Sequence, residues 1–468
     1  LAGRLVETAN RWPAAASGQD PGYRRKVEMD VYFASLGCAR NQVDSEIMCQ
    51  QLRQRGWQVV DDPELAEAIV VNTCSFIEPA AQESIDTILE LAAYRHRGNC
   101  RRLVVVGCLP ERYGSQVGRA LPEVDVFLGT GGFDRLAEAL EGRLPPGTCL
   151  LPDPAATKPM AGINRRPPAA HQAYLKIAEG CNRRCTYCII PRLRGPQRSF
   201  PARDLLQEAA GLIRQGAREI TLVAQETTAW GTDLGKDQDF AGLLEKLAGL
   251  DSGVWIRFFY GHPESFDLRI LEVVDRHPNL CPYFDLPIQH AGDAVLKAMG
   301  RRYTQNDLER LFAAIRNRLP AAALRTTVIV GFPGESEADF ETLVSLVRQV
   351  EFDHLGVFLY SDADDLASHR LPEHVPRKTA LERYHRLMKI QQQISARRNL
   401  RFRGQKLPVL IESRPEDTVY LGRTMFQGPE VDGLTFVRNR SQRPLKPGRI
   451  VSVGISDSLE YDLVGETA

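Results

Sequence analysis

Apolar residues fall first into three short runs, at residues 31–36, 68–71 and 103–106, with helix-period stretches at 45–55 and 80–94 between them. Runs of that length without alternation read as strands buried on both faces, and their repetition with helices predicts a parallel sheet. A second series follows. Six strand candidates, at 174–178, 219–224, 255–260, 283–288, 325–331 and 355–360, alternate with helical patterns that include 202–215, 240–247, 306–318 and 335–350. Six strand–helix units suit an open, partial barrel with its reactive groups at the C-terminal rim. After a long helical run from 378 to about 398 come short strand-like pieces at 407–412, 419–423, 434–437 and 450–455, which predict a small β-barrel. The fold class is therefore α/β, with an N-terminal parallel α/β domain, a central partial (βα)6 barrel and a C-terminal small β-barrel.

Punctuation sets the expected bounds. Pro152, Pro154, Pro159, Pro167 and Pro168, with Gly162, make 151–168 a linker between an N-terminal domain at 29–150 and the barrel at 169–398, and the terminal barrel takes 399–468. Residues 1–28 carry no convincing element and no apolar core of a secretory signal. They are expected to be a disordered extension, or a misassigned start with Met29 as the true one. At 468 residues the chain is too long for one ordinary core. No apolar stretch approaches the roughly 18 to 20 residues of a membrane span.

Ten cysteines spread over such a chain do not make a disulfide scaffold. The tightest group is Cys181-Asn-Arg-Arg-Cys185-Thr-Tyr-Cys188. A structural zinc site wants four ligands, usually in two close pairs, whereas three thiolates on one loop suit a cubane iron-sulfur cluster with one iron left open. Unrelated thiols, or an electron-transfer cluster with a fourth cysteine elsewhere, are the alternatives. The other triad is dispersed: Cys38, Cys74 and Cys108 each follow one of the first three strand runs. Parallel strands put their C-terminal ends on one edge, so the three should converge and hold a second cluster. Singly, each would be a core thiol. Cys49, Cys100, Cys149 and Cys281 lack partners at ligand spacing and read as structural thiols. Thiolate ligands need a reducing compartment, which places the protein in the cytoplasm.

The group of Cys181, Cys185 and Cys188 resembles the radical S-adenosylmethionine (radical-SAM) signature, with Tyr187 in its aromatic place. Gly37-Cys38-Ala-Arg-Asn41-Gln-Val43-Asp44-Ser45-Glu46, Asn72-Thr73-Cys74, Gly107-Cys108, then Gly180-Cys181 through Pro191 and Arg194-Gly195, resemble the methylthiotransferase family along nearly the whole chain. That resemblance implies two 4Fe-4S clusters, an auxiliary one on Cys38, Cys74 and Cys108 and one on Cys181, Cys185 and Cys188 that binds SAM, and a TRAM domain at the C-terminus. It implies no catalytic side chain beyond the cluster sites, and SAM contacts from Tyr187, Gln225, Gly331 and Gly334. The electron donor would be a flavodoxin or ferredoxin. His290, after the fourth strand run, reads more readily as a hydrogen-bonded structural histidine than as a catalyst.

Two stretches depart from the family pattern. Asp362-Ala-Asp-Asp365-Leu366 stands where Glu-x-Gly is usual, and Ala39-Arg40 stands where relatives commonly have Pro-Lys; neither replaces a ligand. Two substrate classes compete within the family. Val43 to Glu46 beside Gly37-Cys38, and Gly428-Pro-Glu-Val-Asp432-Gly433, resemble the branch that methylthiolates the β-carbon of an aspartate in small-subunit ribosomal protein uS12, whereas the transfer-RNA branch tends to read Gly-Cys-Gln-Met-Asn at the first cysteine. A tRNA adenosine methylthiotransferase is the alternative, and outside enzymes an iron-sulfur scaffold that senses redox state. Charge bears on the choice. The formal net charge is zero, and residues 401–468 hold ten Lys plus Arg against nine Asp plus Glu, without the basic excess of a dedicated nucleic-acid binder. Arg438, Arg440, Arg443, Lys446 and Arg449 read first as a solvated loop, yet leave room for RNA contact through the TRAM-like domain.

Overall fold

The computed structural model describes residues 29–157, 162, 164–235, 237–440 and 443–467. The expected extension at 1–28 lies outside them, as do 158–161 and 163 of the expected linker. By packing, the chain divides into two compact units. One holds the residues up to Ala169 with Glu179–Arg183 and Ile189–Phe200; the other holds Ala170–Ala178, Arg184–Cys188 and Pro201–Ala468.

The first unit is built on one parallel six-stranded sheet: β1 (Asp30–Ser35), β2 (Gln58–Val60), β3 (Ala68–Thr73), β4 (Arg102–Gly107), β5 (Val126–Leu128) and β6 (Thr148–Leu150), in the order β2-β1-β3-β4-β5-β6. Burial on both faces accounts for the unbroken apolar runs. Val31, Phe33, Val70 and Val104 pack with Met48 and Leu52 on one face, while Ile69, Val71 and Val105 pack with Ile88 and Leu91 on the other. Each such side chain contributes about 1.5–3 kcal/mol on burial. Val31 pairs with Ala68 and Ala68 with Arg102, so the C-terminal ends of β1, β3 and β4 reach one edge together. Two-residue strands β8 (Ala178–Glu179) and β9 (Arg198–Ser199) flank the Cys181 loop in sequence, after β7 (Gln172–Lys176).

In the second unit β7, β10 (Glu219–Val223) and β11 (Trp255–Phe258) form one parallel sheet, and β12 (Tyr283–Asp285), β13 (Ala323–Val330) and β14 (His354–Leu359) form another. A parallel bridge between Ile256 and Leu280 links them, so the six strands run in sequence order with β7 and β14 at the ends, as an open partial barrel requires. The 23-residue helix Arg377–Asn399 packs beside β14, where Gln391 Nε2 donates to Phe352 O at 2.7 Å and Ser395 Oγ to Asp353 O at 2.8 Å.

The chain ends in a closed barrel of β15 (Lys406–Ser413), β16 (Val419–Thr424), β17 (Thr435–Arg438), β18 (Ile450–Ser458) and β19 (Leu463–Thr467). β19 closes it by pairing parallel to β17, a strand that the apolar pattern did not anticipate. This barrel docks on the N-terminal ends of the half-barrel strands. Glu219, the first residue of β10, accepts from Arg257 Nε at 2.9 Å and from Arg423 of β16; Tyr283, the first of β12, donates to Asp432 at 2.6 Å; His354, the first of β14, bonds Phe426 O at 2.9 Å. The C-terminal rim at the other end of these strands is left to the remaining loops.

Candidate functional site

In the first unit Cys38 caps the helix Ala39–Gln54 after β1, Cys74 follows β3 directly, and Cys108 opens the helix Cys108–Tyr113 directly after β4. The turns before two of them demand glycine. Gly37 has φ +87°, and a Cβ there would lie 2.5 Å from Cys74 Cβ; Gly107 has φ +100°, and a Cβ there would lie 2.6 Å from Asn72 Oδ1. Asn41 ties the edge together, donating to Leu36 O at 3.0 Å and Thr73 O at 2.9 Å, and Asn72 Nδ2 donates to Asn41 O at 2.9 Å and Ser45 Oγ at 3.0 Å. The predicted convergence of three strand ends is present.

The three sulfurs lie in one another's fields. Burial, then the neighbouring Cys38 and Cys108, push the Cys74 thiol up to about 12. Burial also raises Cys108, against the Arg194 guanidinium that donates to its sulfur at 3.6 Å. At Cys38 burial is outweighed by Arg40, whose Nε donates to the sulfur at 3.4 Å, and the thiol is held below its ordinary value. Three cysteine sulfurs gathered at one buried sheet edge, two of them receiving arginine N–H groups, are a donor set of the kind that an iron-sulfur cluster takes. Among the described residues no three His, Cys, Asp or Glu side chains close on a single metal ion. A cluster does not ask for that, because its ligands bind separate irons.

The polar residues of the first motif prove to be anchors. Asp44 accepts from Arg194 Nη1 at 2.7 Å, Ser45 donates to Ser35 Oγ at 2.9 Å, and Glu46 pairs with Arg165. Arg40, one of the departures from the family pattern, reaches a thiol although it replaces no ligand.

The Cys181 loop is shared between the units. In the first, Cys181 is buried, its N–H donates to Gly195 O at 3.1 Å, and its sulfur accepts from Arg183 N at 3.4 Å. In the second, Cys188 N donates to Cys185 O at 3.1 Å, and Thr186 between them is tied to Met299 O at 3.1 Å and Ala298 O at 2.8 Å.

At the C-terminal rim of the second unit, Tyr187 lies edge-on to Phe332 with ring centroids 6.3 Å apart, and its hydroxyl accepts from Arg301 Nη2 at 2.6 Å. Arg301 also contacts His262 Nε2. Gln225 follows β10 and is half-buried, while its neighbours are committed locally: Thr227 Oγ1 donates to Phe259 O at 2.5 Å, Thr228 Oγ1 accepts from His262 N at 2.8 Å, and Glu226 accepts from Ser265 at 2.7 Å. Gly331 has φ +77°, and a Cβ there would sit 2.5 Å from Ala380 Cβ, so helix packing by itself requires that glycine; at Gly334, φ +79°, the space is open. His290 is buried and closed off, accepting from Gly292 N at 2.9 Å on Nδ1 and meeting Glu335 at 3.3 Å through Nε2. The structural reading of His290 matches these bonds.

Arg301 and His262 are residues that the sequence motifs passed over, and Arg194, quoted there only as part of a motif, was given no role. His262 had a signal, since it lies just past the third strand run, where such barrels present side chains. In the departing loop Tyr360 Oη donates to Asp362 Oδ1 at 3.0 Å and Asp362 pairs with His369 at 2.9 Å. Cys49, Cys100 and Cys281 are buried and Cys149 half-buried, and burial raises all four thiols, Cys281 to about 12.

A parallel half-barrel with a three-cysteine loop after its first strand defines the radical-SAM class. Profile comparison agrees: the Radical SAM superfamily matches residues 175–347, the TRAM domain 404–467, and uncharacterized protein family UPF0004 residues 30–129. Ribosomal protein uS12 methylthiotransferase RimO of Desulfosudis oleivorans is 51% identical over 94% of this chain and 100% of its own, and RimO of Geobacter sulfurreducens is 42% identical over 93% and 98%. The chain belongs to the RimO family of methylthiotransferases. Among solved structures, the radical SAM methyltransferase TsrM of Kitasatospora setae aligns with TM-score 0.55 at 15% identity, over 71% of this chain and 75% of its own. OxsB, a cobalamin-dependent radical enzyme, aligns with TM-score 0.51 at 12% identity, over 79% and 56%. These two likenesses speak for the fold alone.

Proposed function

We propose that this chain is a radical-SAM methylthiotransferase that replaces a hydrogen on the β-carbon of an aspartate in ribosomal protein uS12 with a methylthio group. The observation that carries the reading is the convergence of Cys38, Cys74 and Cys108 at one sheet edge, in a chain that matches uS12 methylthiotransferases along nearly its whole length. Cys38, Cys74 and Cys108 would hold an auxiliary 4Fe-4S cluster, and Cys181, Cys185 and Cys188 a second one, with SAM against Tyr187, Gln225, Gly331 and Gly334. When bound, these groups supply the hydrogen-abstracting radical and the methylated sulfur.

The chain's own residues bind, orient and enclose. Gly37 and Gly107 let the turns that carry Cys38 and Cys108 pass close to β3. Arg301 fixes the Tyr187 ring at the rim through its hydroxyl. Glu335 holds the turn that begins at Gly331, accepting from the Gly331 N–H and from Arg383 at 3.3 Å. No described helix is long and apolar enough to cross a membrane. The need for thiolate ligands favours the cytoplasm, with a flavodoxin or ferredoxin as electron donor.

The transfer-RNA alternative has less support: the terminal barrel lacks a basic excess, and Arg440 is already paired with Glu466 at 2.6 Å. The test offers reconstituted protein, SAM and reductant both uS12 and a tRNA anticodon stem-loop, anaerobically and in parallel. A methylthio mass gain on the uS12 aspartate is expected. Gain on the RNA instead would overturn the substrate, and absence of SAM-dependent 5'-deoxyadenosine would overturn the enzyme class.

A further inference from the structure

Arg194 is fully enclosed in the first unit, yet nothing in the proposed chemistry needs a guanidinium there. Its bonds divide by nitrogen. Nη1 donates to Asp44 Oδ2 at 2.7 Å and reaches Glu179 Oε2 at 3.5 Å; Nη2 donates to Asn41 Oδ1 at 2.5 Å and to Cys108 Sγ at 3.6 Å, the longer reach natural to sulfur. Two carboxylates and an amide therefore fix the plane of the group and leave one N–H aimed at a ligand sulfur. Arg40 reaches a second sulfur of the set, with Nε 3.4 Å from Cys38 Sγ. Burying a cation against two carboxylates for structure alone is an inefficient way to stabilise a fold, since well-packed apolar residues often do as well.

Resting on the reading that Cys38, Cys74 and Cys108 hold a cluster, we propose that Arg194 is a positioning residue of that centre: a fixed cationic donor to the Cys108 sulfur that, with Arg40 on Cys38, stabilises the reduced cluster and raises its reduction potential. A cluster that takes up one electron gains one unit of negative charge, spread in part onto its thiolates, and charge-assisted donors to those sulfurs favour the more negative state. No bond to Arg194 forms or breaks. The electron comes from the external reductant and resides on iron and sulfur.

The test isolates the auxiliary cluster in the full chain by replacing Cys181, Cys185 and Cys188 with Ala, then follows it by EPR during a redox titration with dithionite and mediators. In that background Arg194→Gln is expected to lower the reduced-to-oxidised ratio at a set potential about tenfold, which is about 59 mV for a one-electron couple. Arg194→Lys should fall between, and Arg40→Gln should move the midpoint the same way without touching the buried carboxylates. An unchanged midpoint in Arg194→Gln and Arg40→Gln, with iron and sulfide at parental level, would overturn the inference. Loss of the cluster from both Arg194 variants, with an unshifted Arg40→Gln, would make Arg194 an assembly residue and overturn it equally. If the background variant itself binds no iron, the cluster assignment falls first, an outcome visible before any arginine is changed.

Discussion

Gly37 shows how much of the site rests on one missing side chain. Its left-handed backbone disfavours any L side chain by about 1–2 kcal/mol, and the added carbon would overlap Cys74 at 2.5 Å. Gly37→Ala is expected to abolish cluster binding at the first triad while sparing the second, which total iron, falling to about half, would reveal. Glu219 gives a pH-dependent case. Burial opposes its ionisation, but Arg423 and Arg257 outweigh burial and hold it at about 2, from an ordinary 4.5. A depressed carboxylate contributes stability that is complete above its unfolded value and is lost as pH falls toward the folded one. In apo protein, Glu219→Gln should cost about 3–5 kcal/mol at neutral pH by leaving buried Arg257 without its carboxylate and Arg423 with Glu412 alone of its two. The gap to the parent in chemical denaturation should narrow as pH drops from about 4.5 toward 2. At this scale the six candidate ligand cysteines were legible because spacing and recurrence after strands are local signals. The role of Arg194 was not, because Asp44 and Cys108 are 150 and 86 positions away from it.

Elements were read well where burial is uniform and poorly where polar residues are buried or strands are short. The helix Ala39–Gln54 starts six residues before the apolar pattern of 45–55, because its first turns bury Asn41, Asp44, Ser45 and Glu46 as anchors rather than carbon. β2, β5 and β6 are three residues each, too short to show a period. The fourth run, 283–288, yields only Tyr283–Asp285, since Pro287 lacks an N–H for the ladder and Gln289 turns to φ +67°. Two capping boxes provide a controlled comparison. Thr304 caps Gln305–Arg318 and Ser336 caps Glu337–Val350, the helix that follows the Gly331 to Glu335 turn. Either changed to Ala should cost about 1 kcal/mol in unfolding. Ser336→Ala should also weaken SAM binding, measured by equilibrium dialysis, more than Thr304→Ala does, because its helix opens directly after the Gly331 to Gly334 turn proposed to hold SAM.

For the molecule as a whole, the terminal barrel belongs with the half-barrel in packing as well as in sequence. Asp432 accepts from Tyr283 at 2.6 Å and from Gly428 N at 2.7 Å, and lies 3.5 Å from Arg325 Nε. Asp432→Asn leaves Arg325 short of a charge partner. It should speed amide exchange over residues 424–432 by at least tenfold, about 1.4 kcal/mol of local opening, with iron content unchanged. The apolar pattern disclosed three architectures, but docking through Glu219, Arg423 and Asp432 joins residues 204 and 149 positions apart and was invisible to it. The central claim is that the two cysteine triads hold two separate clusters. Its most direct measurement is iron and acid-labile sulfide in reconstituted parent protein and in two triple variants, one with Cys38, Cys74 and Cys108 changed to Ala and the other with Cys181, Cys185 and Cys188. Each variant should keep half of the parent's iron and sulfide. Loss of all the iron on removing one triad, or of none, would contradict the account.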